Sequence, residues 1–188
     1  RYPVRIDPTF SDENWISMGG LPGAGGLVQA TVVDASGNLY IGGSFTIAGE
    51  VAANNIAKWN GTEWSALGSG LNISVYALAA AGNDLYVGGN FWAAGGISAS
   101  RIARWNGSTW SALGTGVNGS VRALVMSGGE LYVAGSFTTA GGSPASRIAK
   151  WNGSAWSALG AGVDGDVQAL AISGSDLFAG GQFSAADG

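Results

Sequence analysis

Three copies of one fourteen-residue phrase, set at a constant interval, restrict this chain to very few folds. Asn55–Gly68 reads NIAKWNGTEWSALG, Arg101–Gly114 reads RIARWNGSTWSALG and Arg147–Gly160 reads RIAKWNGSAWSALG. Trp59, Trp105 and Trp151 are each 46 residues apart, and Trp64, Trp110 and Trp156 keep that step. So do Phe45, Phe91, Phe137 and Phe183. A unit of this length cannot bury its apolar faces alone, so neighbouring copies must share a core. The 188 residues therefore read as one repeat domain over 1–188.

Inside each phrase two short apolar runs flank Asn60-Gly61, Asn106-Gly107 or Asn152-Gly153. Asn-Gly favours the type I′ hairpin turn, with φ > 0 at both central residues. Between phrases lies a first strand, at 28–33, 75–80, 121–126 and 167–172, and then a tight turn. A second strand begins at Leu39, Leu85, Leu131 or Leu177, and a glycine- and alanine-rich loop returns to the phrase. Four short strands per unit, frequent turn signals and no helical period predict an all-β chain. Strands such as Leu85–Gly89 are apolar on both faces, so they need neighbours on both sides. A β-propeller supplies them, here as four blades of four antiparallel strands.

Composition removes several function classes. The net charge is −4 with no basic run, which argues against nucleic acid as a partner. There is no cysteine, hence no disulfide, thiolate or zinc–thiolate chemistry. There is no histidine either, and no serine has an identifiable base, so no catalytic residue is assigned and no cofactor is expected. No apolar run reaches the roughly 18–20 residues of a membrane-spanning helix. The chain starts at Arg1 without a signal-peptide pattern, as expected of a mature or excised form. Only 11% of residues are charged, against about 25% in average soluble domains, so Ser, Thr, Asn and Gly must cover the surface.

LYVGG at Leu85–Gly89, followed by Ile102-Ala103-Arg104-Trp105 and Trp110-Ser111-Ala112-Leu113, resembles a kelch-type blade. The longer pattern, LYVGG-x-F-x-x-AGG leading to IA[KR]WNG-x-x-W-x-ALG, resembles repeats of many secreted bacterial proteins and of the extracellular part of fungal cortical polarity markers. The resemblance covers about Leu27 to Phe183. It implies a propeller outside the cell or at its surface, and it brings no catalytic motif.

The fourth repeat stops after its second strand. Asn14–Gly19 resembles the second half of the phrase, and Tyr2–Ile6 a degenerate first half. The expectation is a ring closed by N-terminal strands 1–20, with repeats at 27–68, 74–114 and 121–160, and a fourth built from 167–188 plus 1–20. The same count lets the N-terminal pair complete a neighbouring molecule instead, giving a dimer or a filament.

Candidate binding residues are the places where near-identical repeats differ. Gln29, Tyr76, Arg122 and Gln168 share the second position of the first strand and are expected to ring the channel mouth. Trp92 stands where the other repeats carry Thr46, Thr138 and Ser184. The repeated tryptophans read as core between blades, and Lys58, Arg104 and Lys150 as solubilising charges on the third strand. Asp164-Gly165-Asp166 reads as a turn between blades rather than a calcium loop, and no metal site is assigned. Asn60, Asn72, Asn106, Asn118 and Asn152 head N-glycosylation acceptor patterns. The expected function is a non-enzymatic extracellular or cell-surface structural and interaction module. Its partners are copies of itself, other surface proteins or glycans. The alternative is a carbohydrate-binding propeller.

Overall fold

The computed structural model describes residues 23–186; the expected strands within 1–20 lie outside the described residues. The first unit contains β1 (Leu27–Val33), β2 (Leu39–Ser44), β3 (Ile47–Ala48), β4 (Val51–Ala52), β5 (Ile56–Trp59) and β6 (Trp64–Ala66). The second contains β7 (Val75–Ala81), β8 (Asp84–Gly89), β9 (Ala93–Ala94), β10 (Ile97–Ser98), β11 (Ile102–Trp105) and β12 (Trp110–Ala112). The third contains β13 (Val121–Ser127), β14 (Glu130–Gly135), β15 (Thr139–Ala140), β16 (Ser143–Pro144), β17 (Ile148–Trp151) and β18 (Trp156–Ala158). β19 (Asp166–Ser173) and β20 (Asp176–Gln182) form a fourth, two-stranded sheet. The first three units are four-stranded antiparallel sheets in the order β1-β2-β5-β6, β7-β8-β11-β12 and β13-β14-β17-β18. No helix occurs among the described residues.

Each sheet packs its face on the next, and that is where the core sits. Tyr40, Ile56, Leu67 and Leu71 of the first unit meet Val75, Val87, Phe91, Ala103 and Trp110 of the second. Ile102, Leu113 and Val117 meet Val121, Val133, Phe137 and Ala149 in the same way. Trp110 Nε1 donates to the Leu67 carbonyl at 2.8 Å, and Trp156 Nε1 to the Leu113 carbonyl at 2.7 Å. In the second and third phrases the second tryptophan thus fills the space between sheets and satisfies its one polar atom there. The first tryptophan tilts against it, with ring centroids 5.3 Å apart in Trp105–Trp110.

The pair of small residues that ends the second strand, Gly-Gly except for Ala134-Gly135 in the third unit, does two different jobs. A Cβ on Gly42 or Gly88 would overlap Cγ1 of Val75 or Val121, the buried valine of the next unit. A Cβ on Gly43, Gly89, Gly135 or Gly181 would instead strike a backbone carbonyl of the neighbouring first strand. The first glycine admits the next sheet; the second admits an irregularity in its own sheet, described below.

Two local expectations are corrected. The Asn-Gly turn is not type I′: Gly61, Gly107 and Gly153 have φ of 96° to 98°, but Asn60, Asn106 and Asn152 are not in the left-handed region. Trp59 pairs with Trp64, so four residues form the loop. Asn60 Oδ1 accepts the backbone N–H of Thr62 and Glu63 and the Thr62 hydroxyl, and this side-chain turn replaces the tight one. The type I′ signature falls elsewhere, at Gly128 and Gly129, with φ of 57° and 82°. The glycine- and alanine-rich loop is also more ordered than expected. It folds as a short hairpin, β3-β4, β9-β10 or β15-β16.

Candidate functional site at the meeting of the first strands

Every first strand carries a β-bulge near its start. The register slips between Val28 and Ala30, Val75 and Ala77, Val121 and Ala123, and Val167 and Ala169. The extra residue is Gln29, Tyr76, Arg122 or Gln168 in turn. A bulged residue is left out of the ladder, and the bend re-aims its side chain. These four residues line one cavity of about 490 Å³. All four first strands therefore contribute to a common space, and the four candidates from the second position of the first strand meet there. Sequence reasoning chose the residues but missed the bulges. The second glycine of each pair was the available signal, because the bulged backbone opposite leaves no room for a Cβ.

The electrostatics of this mouth are set by one acid. Asp166 Oδ1 lies 3.5 Å from Arg147 Nε, and its Oδ2 lies 4.0 Å from Arg122 Nη2. Two cations share one carboxylate, leaving a net positive charge on that wall beside two amides and a phenol. Arg101 and Arg147 open the third strands in the left-handed region, at φ 66° and 67°, where the first unit has Asn55 at φ 64°. Each arginine returns a side-chain N–H to the carbonyl of Phe91 or Phe137, which helps to hold this uncommon backbone.

Trp92 is not part of the cavity. It is 57% exposed, at the same end of its sheet as Tyr76, because β8 ends where β7 begins. Its backbone N–H and that of Ala93 donate to Asn72 Oδ1 at 3.1 and 3.0 Å. Asn118 makes the same bracket on Thr138 and Thr139, and Asp164 on Ser184 and Ala185. Hydrogen bonds from the Ser184 hydroxyl and then from the Ala185 and Ser184 amides hold Asp164 well below the ordinary carboxylate pKa, at about 2. Asp164 is thus a structural acceptor, and no group of three or more potential metal-ligating His, Cys, Asp or Glu side chains occurs among the described residues.

Asn60, Asn106 and Asn152 lie at the opposite end of the sheets, because each third strand ends where the second begins. The basic positions of the third strand are there too, with cross-strand partners that the sequence reading did not assign. Arg104 Nε lies 2.8 Å from Asp84, and Lys150 Nζ 2.9 Å from Glu130. Lys58, which has Asn38 where those units have an acid, lies over the Tyr40 ring instead, at 5.8 Å.

Residues 129–153 match the family described as a domain of unknown function (DUF5122) beta-propeller. That span runs from the turn before β14 into the hairpin loop after β17. Stacked antiparallel sheets whose first strands share a central cavity agree with it, and the repeats are of β-propeller type. No curated protein matches the chain.

Proposed function

We propose that the chain is a non-enzymatic interaction module of the extracellular space or cell surface that docks its partner at the cavity lined by Gln29, Tyr76, Arg122 and Gln168. One observation carries the reading: four residues at one repeat position, read as Gln, Tyr, Arg and Gln, are the bulged residues that face a single cavity of about 490 Å³. A convergent set of polar groups in a concave site is the usual form of a recognition site. Three of the five acceptor asparagines support a two-faced molecule. Asn60, Asn106 and Asn152, on exposed hairpin loops at the far end, can carry glycans without covering the mouth. The test is binding of candidate surface proteins and glycans by the whole chain and by Arg122→Gln with Tyr76→Ala. Loss of the interaction in the double variant, with stability retained, supports the reading; unchanged binding refutes it.

Four kelch-like blades, with strands from 1–20 completing the fourth, are the arrangement we propose for the whole chain. Val28 is 37% exposed, whereas its counterparts Val75, Val121 and Val167 are fully buried. Gly180, the counterpart of Gly42 and Gly88, has nothing within 4 Å of a Cβ. Trp64 is buried, yet its Nε1 finds no acceptor among the described residues. Val28 and Trp64 fit an interface that a preceding blade would fill, and Gly180 one that a following first strand would fill. Light scattering with and without residues 1–20 decides the route. A monomer that unfolds on truncation closes within one chain, and an oligomer that falls to single chains closes between chains.

A second reading, carbohydrate binding, is favoured by the exposed indole of Trp92 beside amide-rich turns. Binding to a glycan array that disappears on Trp92→Thr would select it over a purely structural module.

A further inference from the structure

We propose that the groove between the first and second units, to which Trp92 is tied through its backbone bond to Asn72, is a binding site for a neutral oligosaccharide. The inference rests on the carbohydrate-binding reading and gives it a location and a ligand class distinct from the central mouth. The groove has a volume of about 460 Å³, and Thr46, Asn54, Asn55, Asn72 and Ala93 are among its walls. Three amides converge on it, and internal hydrogen bonds fix the orientation of each. Asn54 Nδ2 donates to the Ser69 carbonyl at 3.0 Å and Asn55 Nδ2 to the Leu71 carbonyl at 2.7 Å. Asn72 Oδ1 is taken up by the Trp92 and Ala93 amides.

The atoms left over are Asn54 Oδ1, Asn55 Oδ1 and Asn72 Nδ2, with no partner among the described residues. Two acceptors and one donor held on rigid backbone match neighbouring sugar hydroxyls, each of which both donates and accepts. No charged side chain is among the lining residues, so the site has nothing with which to select an acid. Trp92 is not one of the lining residues, but its backbone is bonded to Asn72 and its indole is exposed; the role assigned to it is the apolar face on which a pyranose ring stacks.

The sibling grooves lack this set. The second-to-third groove has Ser100, Arg101 and Thr138 at the positions of Asn54, Asn55 and Trp92. The third-to-fourth groove encloses about 200 Å³, with Ser146 and Asp164 on its walls.

The repeats also supply variants whose replacement residues this fold already accommodates. Trp92→Thr copies Thr138, Asn54→Ser copies Ser100, and Asn72→Asp copies Asp164, keeping the bracket acceptor while removing the amide donor. The experiment titrates the full chain with hexasaccharides of glucose, mannose, xylose and N-acetylglucosamine, and with hexagalacturonate, following Trp fluorescence and chemical shifts. At least one neutral hexasaccharide is expected to bind, more tightly than hexagalacturonate. Trp92→Thr and Asn72→Asp should each weaken that binding at least tenfold, and Arg122→Gln should leave it unchanged. No binding by any neutral hexasaccharide, or full binding by the Trp92→Thr/Asn72→Asp double variant, overturns the proposal. If Arg122→Gln abolishes binding while the groove variants keep it, the ligand sits at the mouth. The groove is then refuted and the carbohydrate reading survives.

Discussion

Removing the Asn118 side chain tests whether the bracket between units is a real structural tie. In Asn118→Ala the backbone N–H groups of Thr138 and Thr139 lose an acceptor at 2.8 and 2.9 Å, and Thr138 Oγ1 loses the Asn118 Nδ2 donor at 2.8 Å. A neutral hydrogen bond contributes about 0.5–1.5 kcal/mol net. The freed amides are exposed enough to find water, so the loss is near that of a helix N-cap, about 1–2 kcal/mol. In a domain of 150–250 residues that lowers Tm by about 2–8 °C. Calorimetry reads the total. Hydrogen exchange at Thr138 and Thr139 reads the site, where protection should fall about tenfold for each 1.4 kcal/mol lost. Asn118→Asp is the control, because Asp164 performs the same task in the next unit, and it should stay close to wild type. The reasoning fails if the alanine variant keeps its Tm and its exchange rates, or if aspartate is as damaging as alanine.

Three further outcomes are expected. Gly88→Ala would drive a methyl group into Val121, whose β-branched side chain is fully buried and stiff; because Ala134 of the third unit packs beside Val167 at the same position, urea midpoints should show a loss at the low end, about 1 kcal/mol. Asp164 has a folded pKa of about 2 against an ordinary 3.8, so its ionised form is favoured by the fold. Its contribution is complete above about pH 4 and drains away as the pH falls toward 2, so the protection of the Ser184 and Ala185 amides, relative to their intrinsic exchange at each pH, should fall in that window and stay constant in Asp164→Asn. In a glycosylating host, peptide mapping should find glycans at Asn60, Asn106 and Asn152, whose Nδ2 atoms carry no internal bond among the described residues. Asn118, whose amide is engaged at both ends, should remain bare.

The strand order and the tryptophan core of the described units were legible because each follows from periodicity and burial. Val75–Ala81 and Asp84–Gly89 fall within a residue or so of the expected strands, since apolar runs bounded by turn residues have few other states. The mouth was legible only as a set of positions. Repeat comparison marked Gln29, Tyr76, Arg122 and Gln168 as variable, but the bulge that turns them inward is a register event with no pattern of its own. The Asn-Gly loop was misread for a related reason. The dipeptide alone suits a two-residue turn, and only the Thr or Ser that follows, bonded to the Asn side chain, selects the four-residue loop. The groove amides were hidden because Asn54 and Asn55 read as loop residues until the hairpin β3-β4 is seen to stand them against Asn72.

The bulge also explains why variation collects where it does. Val75 and Ala77 are tied to Gly89 and Gly88 in the ladder, and Val75 is wedged against Gly42 of the preceding unit. Either change of size at those positions strains two sheets at once. Tyr76, between them, makes no ladder pair and faces the shared cavity, so glutamine, tyrosine and arginine are all compatible with one backbone. Trp92 has the same freedom for a different reason, since Asn72 holds its backbone and leaves its side chain outside the core. A repeat that fixes its backbone through side-chain brackets and bulges can alter its contact residues without altering its fold. That separation is what a recognition surface built from copied units requires.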